Sequence, residues 1–223
     1  MERLRTVRVA LFGTGGVGSW CAEGLVRSGV EHLTLIDFDR VAASNINRQL
    51  PALPSTVGRL KAEVLAERLR SINPEADISV RAERYSADTA DTFDLDAYDY
   101  VLDCIDSLAD KALLVRRTCS SRATLFSSMG AALRIDPSRI HTAPFSKAFG
   151  CPLARSLRQH LRSSGEPLSR DFVCVFSDEP VSKDAFTMEE TPEGKHRTNG
   201  SLVHITASFG MRLCGLVLES ARP

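Results

Sequence analysis

What this sequence lacks narrows it first. It carries no net charge, with Lys+Arg and Asp+Glu both at 28 in 223 residues. A uniformly basic nucleic-acid coat, a polyanionic tail or a supercharged surface would each show as an imbalance. Its six cysteines (Cys21, Cys104, Cys119, Cys151, Cys174, Cys214) include no CxxC pair. That argues against a zinc site and against a secreted disulfide scaffold, and most are expected to be small buried apolar residues. The longest apolar-leaning stretch, Ser201 to Leu218, is interrupted by His204 and Arg212, so it reads as a buried helix and not as a membrane span. Met1 to Thr6 is polar and Val7 to Phe12 is too short for the apolar part of a signal peptide, so a cytoplasmic protein is expected. Repeats and low-complexity tracts are missing too. What is present, 43% hydrophobic and 25% charged residues, is the composition of a folded domain.

Apolar β-rich runs alternate with amphipathic runs through the first two thirds of the chain, which indicates a parallel sheet wrapped by helices. The spacing predicts strands at 7–12, 32–36, 78–81, 100–104 and 124–128, and helices at 17–27, 57–72 and 107–122. Gly29 closes the first helix. The second sets Val57, Leu60, Val64, Leu65, Leu69 and Ile72 on an inner face before Asn73-Pro74 stops it. After Gly130 the pattern turns irregular: a helix from Pro152 to Arg162, a strand at 172–176, a polar mobile loop at 189–199 suited to a lid, and a closing helix at 201–219. The expected fold class is α/β, a Rossmann-like doubly wound, mostly parallel sheet with helices on both faces and an irregular C-terminal elaboration.

Gly13-Thr14-Gly15-Gly16-Val17-Gly18 fits GxGxxG directly after a strand and at the opening of a helix. Glycines let the backbone approach phosphate oxygens, and the helix N-terminus offers unpaired N–H groups. Asp37 follows Gly18 by 19 residues, at the end of the second strand, where a carboxylate can accept ribose hydroxyls. A nicotinamide dehydrogenase and an ATP enzyme both suit these features. The next segment separates them: Arg48 and Lys61 would bring two fixed cations to the phosphates, which a departing pyrophosphate needs and a dinucleotide does not. Asp106 follows the fourth strand at the carboxyl edge, and carboxylate with phosphate oxygens is the usual magnesium environment. The plainer reading makes Arg48 and Lys61 solvated cations and Asp106 a helix N-cap.

GxGGVGS, DxDxVxxSNxNRQ, VGxxKAEVxAERxxxINP and DxxDS with Lys111 beyond it resemble the ThiF/MoeB/HesA family of ubiquitin-activating-like adenylating enzymes, from about Val7 to Ser128. The resemblance implies ATP and Mg2+. Gly16, in a loop with Gly13, Gly15 and Gly18, would pack on the phosphates, and Asp37 would hold the ribose with Asp39 beside it. Asn45, Arg48 and Gln49 would line the phosphates, Lys61 would stabilise the departing charge, and Asp106 would bind magnesium. A carboxylate would attack the α-phosphate, giving an acyl-adenylate that a nucleophile opens. The family also implies a homodimer and a single ThiF-type ATP-binding domain, with a nucleotide-binding core over 7–130 and a substrate-specific elaboration over 131–223.

Met129-Gly130-Ala131-Ala132 leading to Ile135-Asp136-Pro137-Ser138, then Pro152-Leu153-Ala154, Cys174-Val175-Phe176-Ser177 and Ala207-Ser208-Phe209-Gly210, resemble the tRNA threonylcarbamoyladenosine dehydratase branch, which also lacks CxxC zinc pairs. That implies ATP-dependent closure of threonylcarbamoyladenosine in tRNA into a cyclic hydantoin. An intramolecular ureido nitrogen would attack at high effective molarity, so no strong external nucleophile is needed. Cys174 matches the branch's CVFS cysteine; it would receive persulfide sulfur, with a cysteine desulfurase or sulfur-acceptor system as partner, or form a transient acyl bond, or simply sit buried in its strand. Relatives carry a helical segment ahead of the first strand, with an arginine that reaches the partner subunit's ATP site; here Arg3 and Arg5 precede Val7. Two other functions fit: adenylation of the C-terminal glycine of a ubiquitin-like sulfur carrier, and a non-catalytic nucleotide-binding scaffold.

The zero charge is a sum of opposing segments. Residues 88–110 hold eight Asp and no Lys or Arg, whereas 134–170 hold seven cations (Arg134, Arg139, Lys147, Arg155, Arg158, Arg162, Arg170) against Asp136 and Glu166. Arg155, Arg158 and Arg162 recur at helical spacing opposite Leu153, Leu157 and Leu161, and form the expected tRNA contact stripe, with an ordinary solvated face as the alternative.

Overall fold

The computed structural model describes residues 2–163, 165, 167–181, 186–191 and 194–222, and side chains outside 182–199. Seven strands form one sheet: β1 (Arg8–Phe12), β2 (His32–Ile36), β3 (Asp77–Arg81), β4 (Tyr100–Asp103), β5 (Thr124–Ser128), β6 (Ile140–Pro144) and β7 (Val173–Ser177). Their order is β3-β2-β1-β4-β5-β7-β6, and only β6 runs antiparallel to its neighbour. Around the sheet lie α1 (Glu2–Thr6), α2 (Gly18–Arg27), α3 (Lys61–Ile72), α4 (Leu108–Cys119), α5 (Pro152–Ser163) and α6 (Val203–Ser220). A separate antiparallel pair is formed by β8 (Phe186–Thr191) and β9 (Gly194–Asn199).

Strand periodicity divides the interior. Successive β1 side chains point to opposite faces, so Val9 and Leu11 enter one core with Leu25, Leu65 and Phe209 of α2, α3 and α6. Ala10 and Phe12 enter the other with Leu114 and Leu157 of α4 and α5. Burial on both faces is why the strands read as continuous apolar runs. Helix α6 crosses α2 closely: a Cβ at Gly210 would stand 2.5 Å from the Val17 carbonyl oxygen. No helix among the described residues is long and apolar enough to cross a membrane.

The chain runs outward from β1 to β2 and β3, then returns to the other side of β1 for β4. Connections leaving neighbouring strands in opposite directions open a crevice at their carboxyl ends, where doubly wound folds bind ligands.

Four expectations need correction. The predicted helix over 57–72 starts at Lys61, because Gly58 takes φ +89° and Leu60 bridges antiparallel to Arg40; Val57 is 47% exposed and is not on an inner face. The edge strand β6 sits where irregular structure was expected, since only Ile140 of it is buried and it ends on Pro144. The expected loop at 189–199 instead holds the paired strands β8 and β9 up to residues 192–193, which lie outside the described residues. Glu2–Thr6, read only as polar, is a short helix.

Candidate functional site

Residues 13–17 cross the crevice from β1 to α2. Gly13 has φ +91°, and a Cβ there would lie 2.8 Å from the Cys104 carbonyl oxygen beyond β4, so neither conformation nor space admits a side chain. Gly15 and Gly16 border a cavity of about 530 Å³, and α2 begins beside them, turning its positive end toward it. Asp37 fixes this loop: its Oδ2 accepts from Thr14 N (2.7 Å) and Thr14 Oγ1 (2.8 Å), and its Oδ1 accepts from Asp39 N at 2.8 Å. The carboxylate with the freer edge is Asp39, half-exposed, whose Oδ2 accepts from Lys61 Nζ at 2.7 Å.

The segment between β2 and α3 presents Arg48 and Gln49. Asn45 shapes it: its Oδ1 accepts from Ala42 N at 3.1 Å, and its carbonyl accepts from Arg48 N and Gln49 N. Trp20 Nε1 on α2 donates to Arg48 O at 3.1 Å, tying the turn to the glycine loop's helix. Arg48 Nη1 donates to Ser44 O (2.9 Å) and Asn47 Oδ1 (2.8 Å). Burial lowers the Arg48 pKa, while the nearby Asp106 carboxylate raises it. Gln49 is buried, and its amide oxygen has no partner among the described residues. An orphaned buried amide is costly unless something enters to satisfy it.

Asp106 lies in the loop after β4 and lines the same cavity. The N-cap of α4 is Ser107, so the Asp106 carboxylate is not committed to capping. No cluster of three or more ligating side chains exists among the described residues.

Gly13, Gly15, Gly16, Asp37, Asp39, Arg48, Gln49, Lys61 and Asp106 therefore come together around one cavity. Gly18 and Asn45 do not line it. Gly18 serves packing, since a Cβ there would fall 1.9 Å from Gly13 O. Cys174 also stands apart, because β7 turns it into the second core. Burial pushes its thiol up to about 12, so it offers neither access nor a ready thiolate. The arginine stripe divides: Arg155 and Arg162 are exposed, but Arg158 donates to Phe145 O (3.0 Å) and Ala148 O (2.9 Å) and sits over the Phe145 ring.

Sequence reading missed other cavity residues. Arg84 binds Asp110 Oδ2 at 2.9 Å through Nε, and its guanidinium lies 5.8 Å from the half-exposed Phe38 ring. Tyr85, whose hydroxyl has no partner among the described residues and is pushed up to about 12 by burial, adjoins it. Both follow β3 at the carboxyl edge, a position that was the available signal. Arg134, one of the seven cations of the basic segment, is buried in the cavity wall.

The family profile that matches, over residues 1–206, is the ThiF family. The tRNA threonylcarbamoyladenosine dehydratase of Haemophilus influenzae is 36% identical over 227 residues, spanning 98% of this chain and 87% of that protein. The Escherichia coli protein of the same name is 39% identical over 227 residues, spanning 94% of this chain and 84% of its own. The crystal structure of the E. coli tRNA N6-threonylcarbamoyladenosine dehydratase in complex with ATP superposes with a TM-score of 0.86 at 35% identity, over 99% of this chain and 88% of that one.

Proposed function

The chain belongs to the ThiF family, and from that premise we propose that it is an ATP-dependent tRNA threonylcarbamoyladenosine dehydratase. The observation that carries this reading is the cavity itself: a glycine loop, Arg48, Lys61 and Asp106 border the same space as residues 129–134 and 151–153 of the C-terminal elaboration. A nucleotide held on the first group would meet an acyl substrate held on the second. The domain would be single, with the core over 7–130 and the elaboration over 131–223.

In the proposed reaction the threonyl carboxylate attacks the α-phosphorus of ATP, the bond to the bridging oxygen breaks, and pyrophosphate leaves. The ureido nitrogen then attacks the acyl carbon and AMP departs with the former carboxylate oxygen, closing the hydantoin. The nitrogen loses its proton to solvent. Arg48 and Lys61 stabilise charge on the phosphates as it builds toward pyrophosphate. Asp39 and Asp37 hold the ribose side, with Asp37 acting mainly through the glycine loop it braces. Gly13, Gly15 and Gly16 let backbone approach the phosphates.

The lining holds four cations (Arg48, Lys61, Arg84, Arg134) against five carboxylates (Asp37, Asp39, Glu83, Asp106, Asp110). This slightly acidic lining favours a triphosphate that arrives with a divalent cation. Asp106 suits Mg2+, which binds through one or two carboxylates and substrate phosphates more often than in an all-protein cage. When bound, the ion neutralises phosphate charge.

Lys147, Arg155 and Arg162 are exposed cations of the elaboration and would be available to tRNA phosphates. Sulfur transfer from a desulfurase has no exposed thiol to use, since the six cysteines are buried or half-buried. A homodimer is proposed from the exposed apolar positions Leu202, Val203 and Met211 at α6, testable by light scattering. Such a protein works in the cytoplasm, where tRNA and ATP meet.

The test is incubation with ATP-Mg and tRNA bearing threonylcarbamoyladenosine, followed by nucleoside mass spectrometry. Loss of one water with the native chain, and none with Arg48→Ala or Asp106→Ala, is expected. No water loss under conditions where ATP binds overturns the proposal, and ATP–pyrophosphate exchange dependent on a small carrier protein would put sulfur-carrier adenylation in its place.

A further inference from the structure

Of the four cations lining the cavity, three face a carboxylate. Lys61 pairs with Asp39, Arg84 with Asp110, and Arg48 lies in the field of Asp106. Arg134 has no ion pair among the described residues. Its one hydrogen bond there runs from Nη1 to the backbone oxygen of Glu179, and its buried Nε has no partner. The carboxylate of the same Glu179 accepts from Ile135 N and Asp136 N, at 3.0–3.1 Å, and makes no ion pair with Arg134. The guanidinium is thus 2% exposed, in the wall of an open cavity, with no carboxylate paired to it among the described residues.

The segment that carries it is fastened on both sides. Leu133 takes φ +61°, a left-handed conformation unfavourable for a branched side chain, and its N–H donates to Gly200 O at 2.8 Å. His204 of α6 contacts Ile135 O at 2.9 Å. This backbone fixes where Arg134 emerges. The arginine lines the same cavity as Gly130, Cys151, Leu153 and Thr206.

A buried guanidinium lacking a carboxylate is a site for one, since its planar fork binds carboxylates through paired hydrogen bonds. We propose that Arg134 holds the carboxylate of the substrate's threonyl group against the nucleotide; this rests on the dehydratase reading. With the fork's N–H groups converging on one carboxylate oxygen, the other is free to attack. Neutralising that charge also lowers the repulsion a carboxylate meets as it nears the α-phosphate. Arg134 thereby selects the open, acidic nucleoside over the closed, neutral product and favours product release.

The test compares binding, without ATP, of tRNA carrying threonylcarbamoyladenosine and the same tRNA with that carboxylate methyl-esterified. The native chain should prefer the free acid by about tenfold or more. Arg134→Gln should bind both RNAs as the native chain binds the ester, Arg134→Lys should fall between, and ATP affinity should stay within about twofold in both variants. An unchanged preference in Arg134→Gln with ATP affinity intact overturns the assignment while leaving the dehydratase reading standing. If the native chain does not distinguish the two RNAs, the assignment fails, while the dehydratase reading still rests on whether water is lost from the modified tRNA with ATP. Should Arg134→Gln lose ATP affinity through misfolding, Arg134→Lys decides: a reduced preference supports the assignment and an unreduced one overturns it.

Discussion

Lys111 and Arg134 are the two most deeply buried cations among the described residues, at 0% and 2% exposure, and they are treated in opposite ways. Lys111 Nζ donates to Asp103 Oδ2 at 2.7 Å and to Ser128 O at 3.0 Å, and Ser127 Oγ donates to the same Asp103 oxygen at 2.6 Å. Its charge is matched and its donors are used, so it knits α4 to β4 and β5 and has nothing left for a ligand. Arg134 is equally hidden but unmatched. Burial alone does not mark a functional charge; burial without a partner, in the wall of a cavity, does.

The largest effect should come from Lys111→Met, which leaves Asp103 buried and uncompensated. A loss of about 3–5 kcal/mol of unfolding free energy is expected in urea titration. Adding Asp103→Leu should recover much of it, since an apolar pair of similar volume often replaces a buried ion pair without loss. Arg134→Gln should be mild by comparison, at about 1 kcal/mol for one hydrogen bond. Equal losses for the two single variants would erase the contrast.

Next come the phosphate cations. Arg48→Ala should slow product formation by about 10²–10³-fold in single turnover, the usual cost of removing one group aimed at developing charge, with unfolding free energy nearly unchanged. A comparable stability loss would class Arg48 with Lys111.

A smaller effect concerns Glu23 of α2, which is buried and bound by Arg27 (2.9 Å) and Arg68 (2.5 Å). Burial pushes its pKa up, but the hydrogen bonds from Arg68 and Arg27 outweigh it, and the net shift is below the ordinary 4.5. A carboxylate with a depressed folded pKa contributes stability above its unfolded pKa and loses it as pH falls through the folded value. Glu23→Gln should therefore be less stable than the native chain at neutral pH, and the gap should close as the solution is acidified below pH 4.5 in thermal melts. A gap independent of pH would mean the arginines contribute packing alone.

The smallest effect is at the surface. Arg155→Glu with Arg162→Glu should weaken tRNA binding and lower its salt slope by about one for each phosphate no longer neutralised, leaving stability intact. Arg158→Glu should instead destabilise the fold, because Arg158 is committed to two backbone carbonyls.

The sheet and most of the nucleotide side were legible in the sequence. A Gly-rich turn after an apolar run, and Arg48, Lys61 and Asp106 past successive strand ends, are local signals that topology then gathers at one edge. What escaped depended on pairings distant in sequence. Helix α3 starts late because Gly58 and the Arg40–Leu60 bridge redirect the chain. Arg134 reads as one more surface cation until Glu179, 45 residues on, is seen to occupy its own carboxylate elsewhere. Cys174 matched a motif, yet the alternation of β7 points it into the core. Charge in a sequence has no burial attached to it, and partner assignment needs the fold.

The central claim, that this cavity activates a tRNA-borne carboxylate with ATP and lets it close on itself, is tested most directly by stoichiometry. AMP release and hydantoin formation should be counted in one reaction with limiting modified tRNA. One AMP per hydantoin, no ADP, and no AMP when the tRNA lacks threonylcarbamoyladenosine are expected. ADP as the product, or AMP released at the same rate from unmodified tRNA, would contradict it.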